Sequence, residues 1–250
     1  MHGGEPLMAG PELITYLTER FHAETPPGIE LDIRMTTNAV LLTPDNLRLM
    51  RECGIRAYVS LDGGQEAHDR HRKYANGRGS YDATISGLNA LRAPGNRHLF
   101  SGLLCTIDVA NDPIDVYEML IANEPPMIDF LLPHGNWNQP PPAWGGDSNT
   151  TTYADWLIPI FDRWYDAPVR PTSIRLFDEI INLVLGGHSR AETVGLTPSS
   201  RSPSTPTARS TSPPAQVGLQ RSRDHRPSCV TRLARRARAA ARRGRPADRR

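Results

Sequence analysis

The chain has 250 residues, enough for one domain with a sizeable core, and its formal charge of +2 hides two unlike parts. Fourteen Arg against two Asp after residue 200 give that stretch a net +12 and leave the first 200 residues at −10. Three cysteines (Cys53, Cys105, Cys229) lie far apart without CxxC or CxxxC spacing, which argues against a disulfide framework or an encoded cysteine-rich metal site and fits a reducing cytoplasm. There is no run of about 18 apolar residues and no leader-like start, so nothing in the pattern points to export or to a membrane.

The chain opens on His2-Gly3-Gly4-Glu5-Pro6-Leu7. Two adjacent glycines let a ligand approach main-chain N–H and C=O groups closely, Glu5 offers a carboxylate and Pro6 stiffens the turn. Gly10-Pro11 then begins an apolar stripe (Leu13, Ile14, Leu17, Phe21) at helical spacing that fades near Glu24. Residues 29–35 alternate apolar and polar and predict a half-buried strand that delivers Thr36-Thr37-Asn38 at its C-terminal end. Thr43-Pro44 reads as the N-cap and first residue of a helix that Gly54 ends. A short strand over 55–61 follows and runs into Ser60-Leu61-Asp62-Gly63-Gly64.

Residues 65–79 read as a polar, charged loop before Ser80 caps the next helix. A strand over 99–107, a helix from Asp112-Pro113 and a strand over 127–132 come next. Composition then changes: residues 136–150 are rich in Trp, Asn, Pro and Gly, with little helix or strand potential. Helical periodicity returns over 153–165, where Trp156, Ile160, Phe161 and Trp164 make an aromatic face best read as core, and again over 176–185 before Gly186-Gly187.

Helix and strand alternate at intervals of about 25 to 45 residues, the signature of repeated βα units and a parallel sheet. Right-handed crossovers put every strand's C-terminal end on one rim. There the unusual residues collect: the Gly3-Gly4-Glu5 loop, Asn38, Ser60 with Asp62, Asn111 and His134. Ligands bind at that edge in a closed barrel and at the switch point of an open sheet alike, and the pattern does not choose between them. His68-Asp69-Arg70-His71 reads as a polar loop rather than a metal site, since no further ligand cluster supports it.

With these elements in place the sequence resembles a radical S-adenosylmethionine (SAM) enzyme. The resemblance is carried by Gly3-Gly4-Glu5-Pro6-Leu7 at the end of what would be the second strand, Thr37-Asn38-Ala39 after the third, and Ser60-Leu61-Asp62-Gly63 after the fourth. His68-Asp69 and Arg72 follow as in the anaerobic sulfatase-maturating enzymes and their SPASM-domain relatives. The run Asp129-Phe130-Leu131-Leu132-Pro133-His134 and the segment Phe161-Asp162-Arg163-Trp164-Tyr165 resemble, more narrowly, the peptide maturases of the FxSxx-COOH systems.

The resemblance implies an incomplete (β/α)6 partial TIM barrel over residues 1–135, a helical extension over 136–197, and SAM with a [4Fe-4S] cluster as cofactors. SAM would be cleaved to a 5'-deoxyadenosyl radical that modifies a side chain of a ribosomally synthesised precursor peptide, with a ferredoxin or flavodoxin as reductant. Gly3, Gly4, Glu5 and Pro6 would surround the methionine amino group, while Asn38, Ser60, Asp62 and Arg72 would serve its ribose or carboxylate, Arg72 because a guanidinium matches a carboxylate bidentately.

Two departures are expected. The CxxxCxxC loop that holds such a cluster would precede Gly3, so the chain is read as truncated, without metal ligands and inactive as it stands. Residues 198–250 hold no aromatic residue, Ile or Met, and are expected to be a disordered Arg/Pro/Ser-rich tail, either out of frame or a basic arm for nucleic acid. The alternatives to a peptide-modifying enzyme are thus a non-catalytic SAM- or peptide-binding chain and a nucleic-acid binder.

Overall fold

A computed structural model describes residues 1, 4–135, 138, 140–142, 151–189 and 233–239. Five parallel strands lie in the order in which they occur: β1 (Ile33–Thr37), β2 (Ile55–Ser60), β3 (Phe100–Thr106), β4 (Met127–Leu131) and the two-residue β5 (Ser173–Ile174). Each connection therefore steps the same way round. An open doubly wound sheet would reverse its strand order at a switch point, so the consecutive order is that of a partial barrel.

Helices fill the crossovers: α1 (Pro11–Glu24) precedes β1, α2 (Pro44–Glu52) follows it, and α3 (Gln65–His71) with α4 (Tyr81–Arg92) joins β2 to β3. Then come α5 (Pro113–Ile121), α6 (Thr152–Tyr165) and α7 (Arg175–Val184). The start signals act as the sequence suggests. Thr43 Oγ1 accepts from Asn46 N at 3.3 Å, and Asp112 Oδ1 accepts from Ile114 N and Asp115 N at 2.8 and 3.0 Å. Both helices begin with Pro in the first turn, where its missing N–H costs nothing.

Strand alternation sorts side chains into two faces. Ile33, Met35, Thr37, Ile55, Ala57, Val59, Leu103, Cys105, Ile128 and Phe130 are buried in the layer between sheet and helices. The intervening Thr36, Tyr58, Ser60, Leu104 and Thr106 are half-buried and form the concave inner face. Register joins Ser60, Leu104 and Asp129 into one layer across it. At about 1.5–3 kcal/mol for each fully buried large apolar side chain, the helix-facing layer is what holds the half-barrel. The aromatic face of α6 is core, as expected: Trp164 and Phe161 pack on Phe177 of α7, with ring centroids 5.6 and 5.2 Å apart. Trp164 Nε1 donates to Thr172 O at 2.8 Å.

Several elements differ from the sequence reading. Strand pairing begins at Ile33 rather than at 29, where Ile29 is exposed, although the alternation of faces is as read. The loop expected over 65–79 contains α3, and β5 was not expected at all. Met1 N donates to Arg34 O at 2.6 Å and Thr36 N donates to Met1 O at 3.0 Å, a parallel ladder step that sets the following Gly4-Glu5 turn beside the C-terminal end of β1. Within the tail expected to be disordered, residues 233–239 are helical, with Leu233 and Ala237, one turn apart, buried against the core and Arg236 forked onto Asp162 at 2.6 Å. The rest of 190–250 lies outside the described residues, as do Gly3 and the stretch 143–150.

Candidate cofactor-binding rim

Two clusters occupy neighbouring strand ends. The first is built around Glu5. Its Oε1 accepts from Thr37 Oγ1 at 2.9 Å and from Leu7 N at 3.2 Å, and its Oε2 accepts from Asn38 N at 2.8 Å. Thr37 Oγ1 in turn accepts from Ala39 N at 3.0 Å. The carboxylate is thus committed to protein donors and ties the Gly4 turn to the end of β1. Gly4 has φ +61, and a Cβ built on it would meet nothing within 4 Å, so its main chain borders open space. Pro6 starts the short 3-10 turn Pro6–Ala9 capped by Glu5.

Asn38 serves the turn that follows: its Oδ1 accepts from Val40 N at 3.0 Å, the local chemistry by which Asn favours turns. Ala39 sits at φ +65, a conformation that costs an L-residue about 1–2 kcal/mol. It is held from outside by α4, where Thr84 Oγ1 donates to Asn38 O at 3.0 Å and Gly87 lies so close that a Cβ would come 2.0 Å from Ala39 O.

The second cluster is built around Asp62, two residues beyond Ser60. Asp62 is 5% exposed and accepts a fork from Arg72, Nε to Oδ2 at 2.5 Å and Nη2 to Oδ1 at 3.0 Å. Oδ1 also accepts from Thr106 N at 2.9 Å, so one carboxylate joins the ends of β2 and β3 to the residue after α3. Asp62 N donates to His68 Nδ1 at 3.4 Å, which leaves the proton on Nε2, directed at Ser80 Oγ 3.2 Å away. Ser80 Oγ donates to Arg72 O at 3.0 Å. His68 is fully buried; its burial, and then the Arg72 charge, lower its pKa against the pull of Asp62 and Asp69, so the neutral ring is the working form.

Asp69 accepts from Tyr81 N at 2.9 Å and so caps α4, the task the sequence reading gave to the Ser80 side chain. These placements explain the His68-Asp69-Arg72 pattern as a lock that closes the β2–α4 connection. His71 is drawn away to Asp108, which Arg70 also grips at 2.7 Å. Burial pushes Asp108 up, and the hydrogen bonds from Ala110, Arg70 and His71 more than offset it, leaving its pKa below the usual carboxylate value.

A cleft of about 350 Å³, in the range of small-molecule sites, opens beside this second cluster, lined by Asp62, Arg72, Thr106, Asp108 and Tyr153 among others. Of the sequence-predicted residues it gathers Asp62 and Arg72. Gly4, Glu5 and Asn38 form the other cluster, and Ser60 lies one strand position beyond Val59, the register partner of Thr37. Asn111 lies apart, its carbonyl taking the Trp156 Nε1 bond at 2.9 Å, and His134 is exposed. Sequence reading named Thr37 in the Thr37-Asn38-Ala39 motif and Ser80 as a helix cap, without giving either a place in the site, and missed Thr106, which acts through its backbone.

The described residues suit the two cofactors unequally. A preset guanidinium bordering a cleft and an open main-chain turn fit the carboxylate and ammonium of SAM. A [4Fe-4S] cluster finds no such fit. Cys53 is buried at the end of α2, its Sγ 4.0 Å from Thr15 Oγ1, and Cys105 is buried in β3, where burial pushes its thiol well above the ordinary value and away from the thiolate a metal needs. Among the described residues no group of three or more His, Cys, Asp or Glu is arranged to hold a metal ion. None of their helices is long and apolar enough to cross a membrane.

Residues 1–119, which span the first three strands of the parallel half-barrel, match the family model described as the Radical SAM superfamily. The chain is homologous to anaerobic sulfatase-maturating enzymes. It is 24% identical over 194 residues to the cysteine-type enzyme of Clostridium novyi (strain NT), covering 76% of this chain and 51% of that one. It is 25% identical over 203 residues to the serine-type enzyme of Bacteroides thetaiotaomicron, covering 72% and 46%. The chain spans about half the length of these curated relatives. Its fold resembles the solved structure described as native anSMEcpe with bound AdoMet and Kp18Cys peptide, with TM-score 0.65 at 20% identity, over 76% of this chain and 53% of that one.

Proposed function

We propose that this chain is the SAM-binding half-barrel of a radical SAM protein that modifies a side chain of a ribosomally made peptide, in the manner of the FxSxx-COOH systems, with a ferredoxin- or flavodoxin-type reductant. The observation that carries the reading is Arg72, fixed by Asp62 with its remaining donors available to the cleft. Arg72 takes the cofactor carboxylate, the main chain at Gly4 takes its ammonium, and Ser60, on the half-buried inner face, is within the same rim for the ribose. Glu5 and Asn38 shape the rim rather than touch the ligand with their carboxylate and amide oxygens, both of which are already committed. SAM held there would supply hydrogen-abstracting chemistry only when an electron reached it through a [4Fe-4S] cluster, for which the described residues offer no ligand set. The relatives that mature sulfatases and the neighbour bearing a peptide support a peptide as the molecule acted on.

The 250-residue chain by itself is expected to bind SAM without reductive turnover, because its described residues supply no cluster ligand set. Equilibrium dialysis with SAM, and iron and sulfide analysis after anaerobic reconstitution, test both halves: SAM retained with less than stoichiometric iron is the expected result. A stoichiometric [4Fe-4S] cluster would overturn the second half. A DNA affinity that falls steeply with salt and vanishes on deletion after Pro198, without SAM binding, would replace the reading by the basic-arm alternative.

A further inference from the structure

We propose that Asp62 is a positioning residue for the cofactor carboxylate, acting through Arg72, and thereby sets a preference for SAM over carboxylate-free analogues; the inference rests on the SAM reading above. A guanidinium has five N–H donors, and Asp62 takes two of them, one on Nε and one on Nη2, leaving three for the cleft. An Arg side chain at 28% exposure, free to rotate, would lose conformational entropy on gripping a ligand. Here that ordering has already occurred, because the Asp62 carboxylate is itself held by the Thr106 N–H and by its own backbone bond to His68. The Arg72 backbone is fixed by the same network, since its carbonyl accepts from both Ser80 Oγ and Ser80 N, at 3.0 and 3.2 Å. Head and root of one arginine are thus anchored to two strand ends, those of β2 and β3, and to the start of α4.

Calorimetric titration of the full chain with SAM and with decarboxylated SAM separates positioning from a merely structural role. The wild type is expected to prefer SAM at least tenfold. Asp62→Asn puts an amide N–H₂ against the guanidinium donors and is expected to weaken SAM about tenfold while leaving decarboxylated SAM within twofold. Equal losses for the two ligands, or no loss for either, would overturn the proposal. If Asp62→Asn fails to fold, Asp62→Glu, which displaces the carboxylate by one methylene, must show the same selective loss. A wild type that binds neither ligand refutes the SAM reading together with this one. A wild type that binds both equally refutes the Arg72–carboxylate contact and the role of Asp62 together, whereas a wild type that prefers SAM and an Asp62→Asn variant that keeps the same preference refute the role of Asp62 alone.

Discussion

Replacing Glu5 by Ala removes the acceptor of three hydrogen bonds, from Thr37 Oγ1, Asn38 N and Leu7 N. Bonds to a charged group contribute about 1.5–3 kcal/mol each in buried settings, less where water can substitute, and they are not additive. The Leu7 bond is long and lies in the first turn of a 3-10 helix, so water replaces it readily. The bonds from Thr37 and Asn38 are part-buried and sit next to Ala39 at φ +65, whose strain the clamp helps to hold. A loss of about 2–4 kcal/mol for Glu5→Ala follows, and about 1–2 kcal/mol for Glu5→Gln, whose amide keeps one acceptor but turns a donor toward a donor. Urea unfolding followed by circular dichroism, with unchanged m-values, reads both. A Glu5→Ala chain within about 0.5 kcal/mol of the wild type would refute the clamp and return Glu5 to the role of a free ligand for an ammonium group.

His68 is held neutral in the folded chain, with its pKa lowered by burial, so the unfolded chain binds more protons as the solution is acidified. The stability this contributes is complete above about pH 6.5 and is lost as pH falls through the depressed folded value. Thermal unfolding between pH 7.5 and 5 is therefore expected to show a drop that His68→Gln flattens. Gly87→Ala brings a Cβ onto the Ala39 carbonyl, and overpacking of this kind costs about 1–3 kcal/mol; denaturant titration with a lowered midpoint is the expected result. Phe177→Ala empties the centre of the α6–α7 aromatic cluster and is expected to cost about 3–5 kcal/mol, where an unchanged melting temperature would contradict the core assignment.

Much of the half-barrel was legible because its signals are local. Pro44, Pro113 and the hydroxyl or carboxylate before each announce helix starts within four residues, and the alternation in β1 depends only on which side chains share a face. The misses have the opposite character. Helix α3 has almost no apolar stripe: its buried residue is His68, whose partners Asp62 and Ser80 lie 6 and 12 positions away, so its sequence looks like a solvated loop. The two residues of β5 are too few for any period to show. Where β1 begins is fixed by pairing with Ile55, a contact across 22 positions that alternation cannot see. At the rim, the residue types and their order were readable, while their partition was not. The Glu5 bonds to Thr37 and Asn38 span 32 and 33 positions and the Asp62 bond to Thr106 spans 44, so only the folded chain reveals which polar groups are spent on one another.

The central claim is that this rim binds SAM through Arg72. Titration calorimetry of the full chain with SAM, repeated on Arg72→Ala, tests it most directly. One site per chain, weakened at least tenfold in the variant, is the expected result. Either the absence of binding heat in the wild type or an affinity indifferent to residue 72 would contradict it.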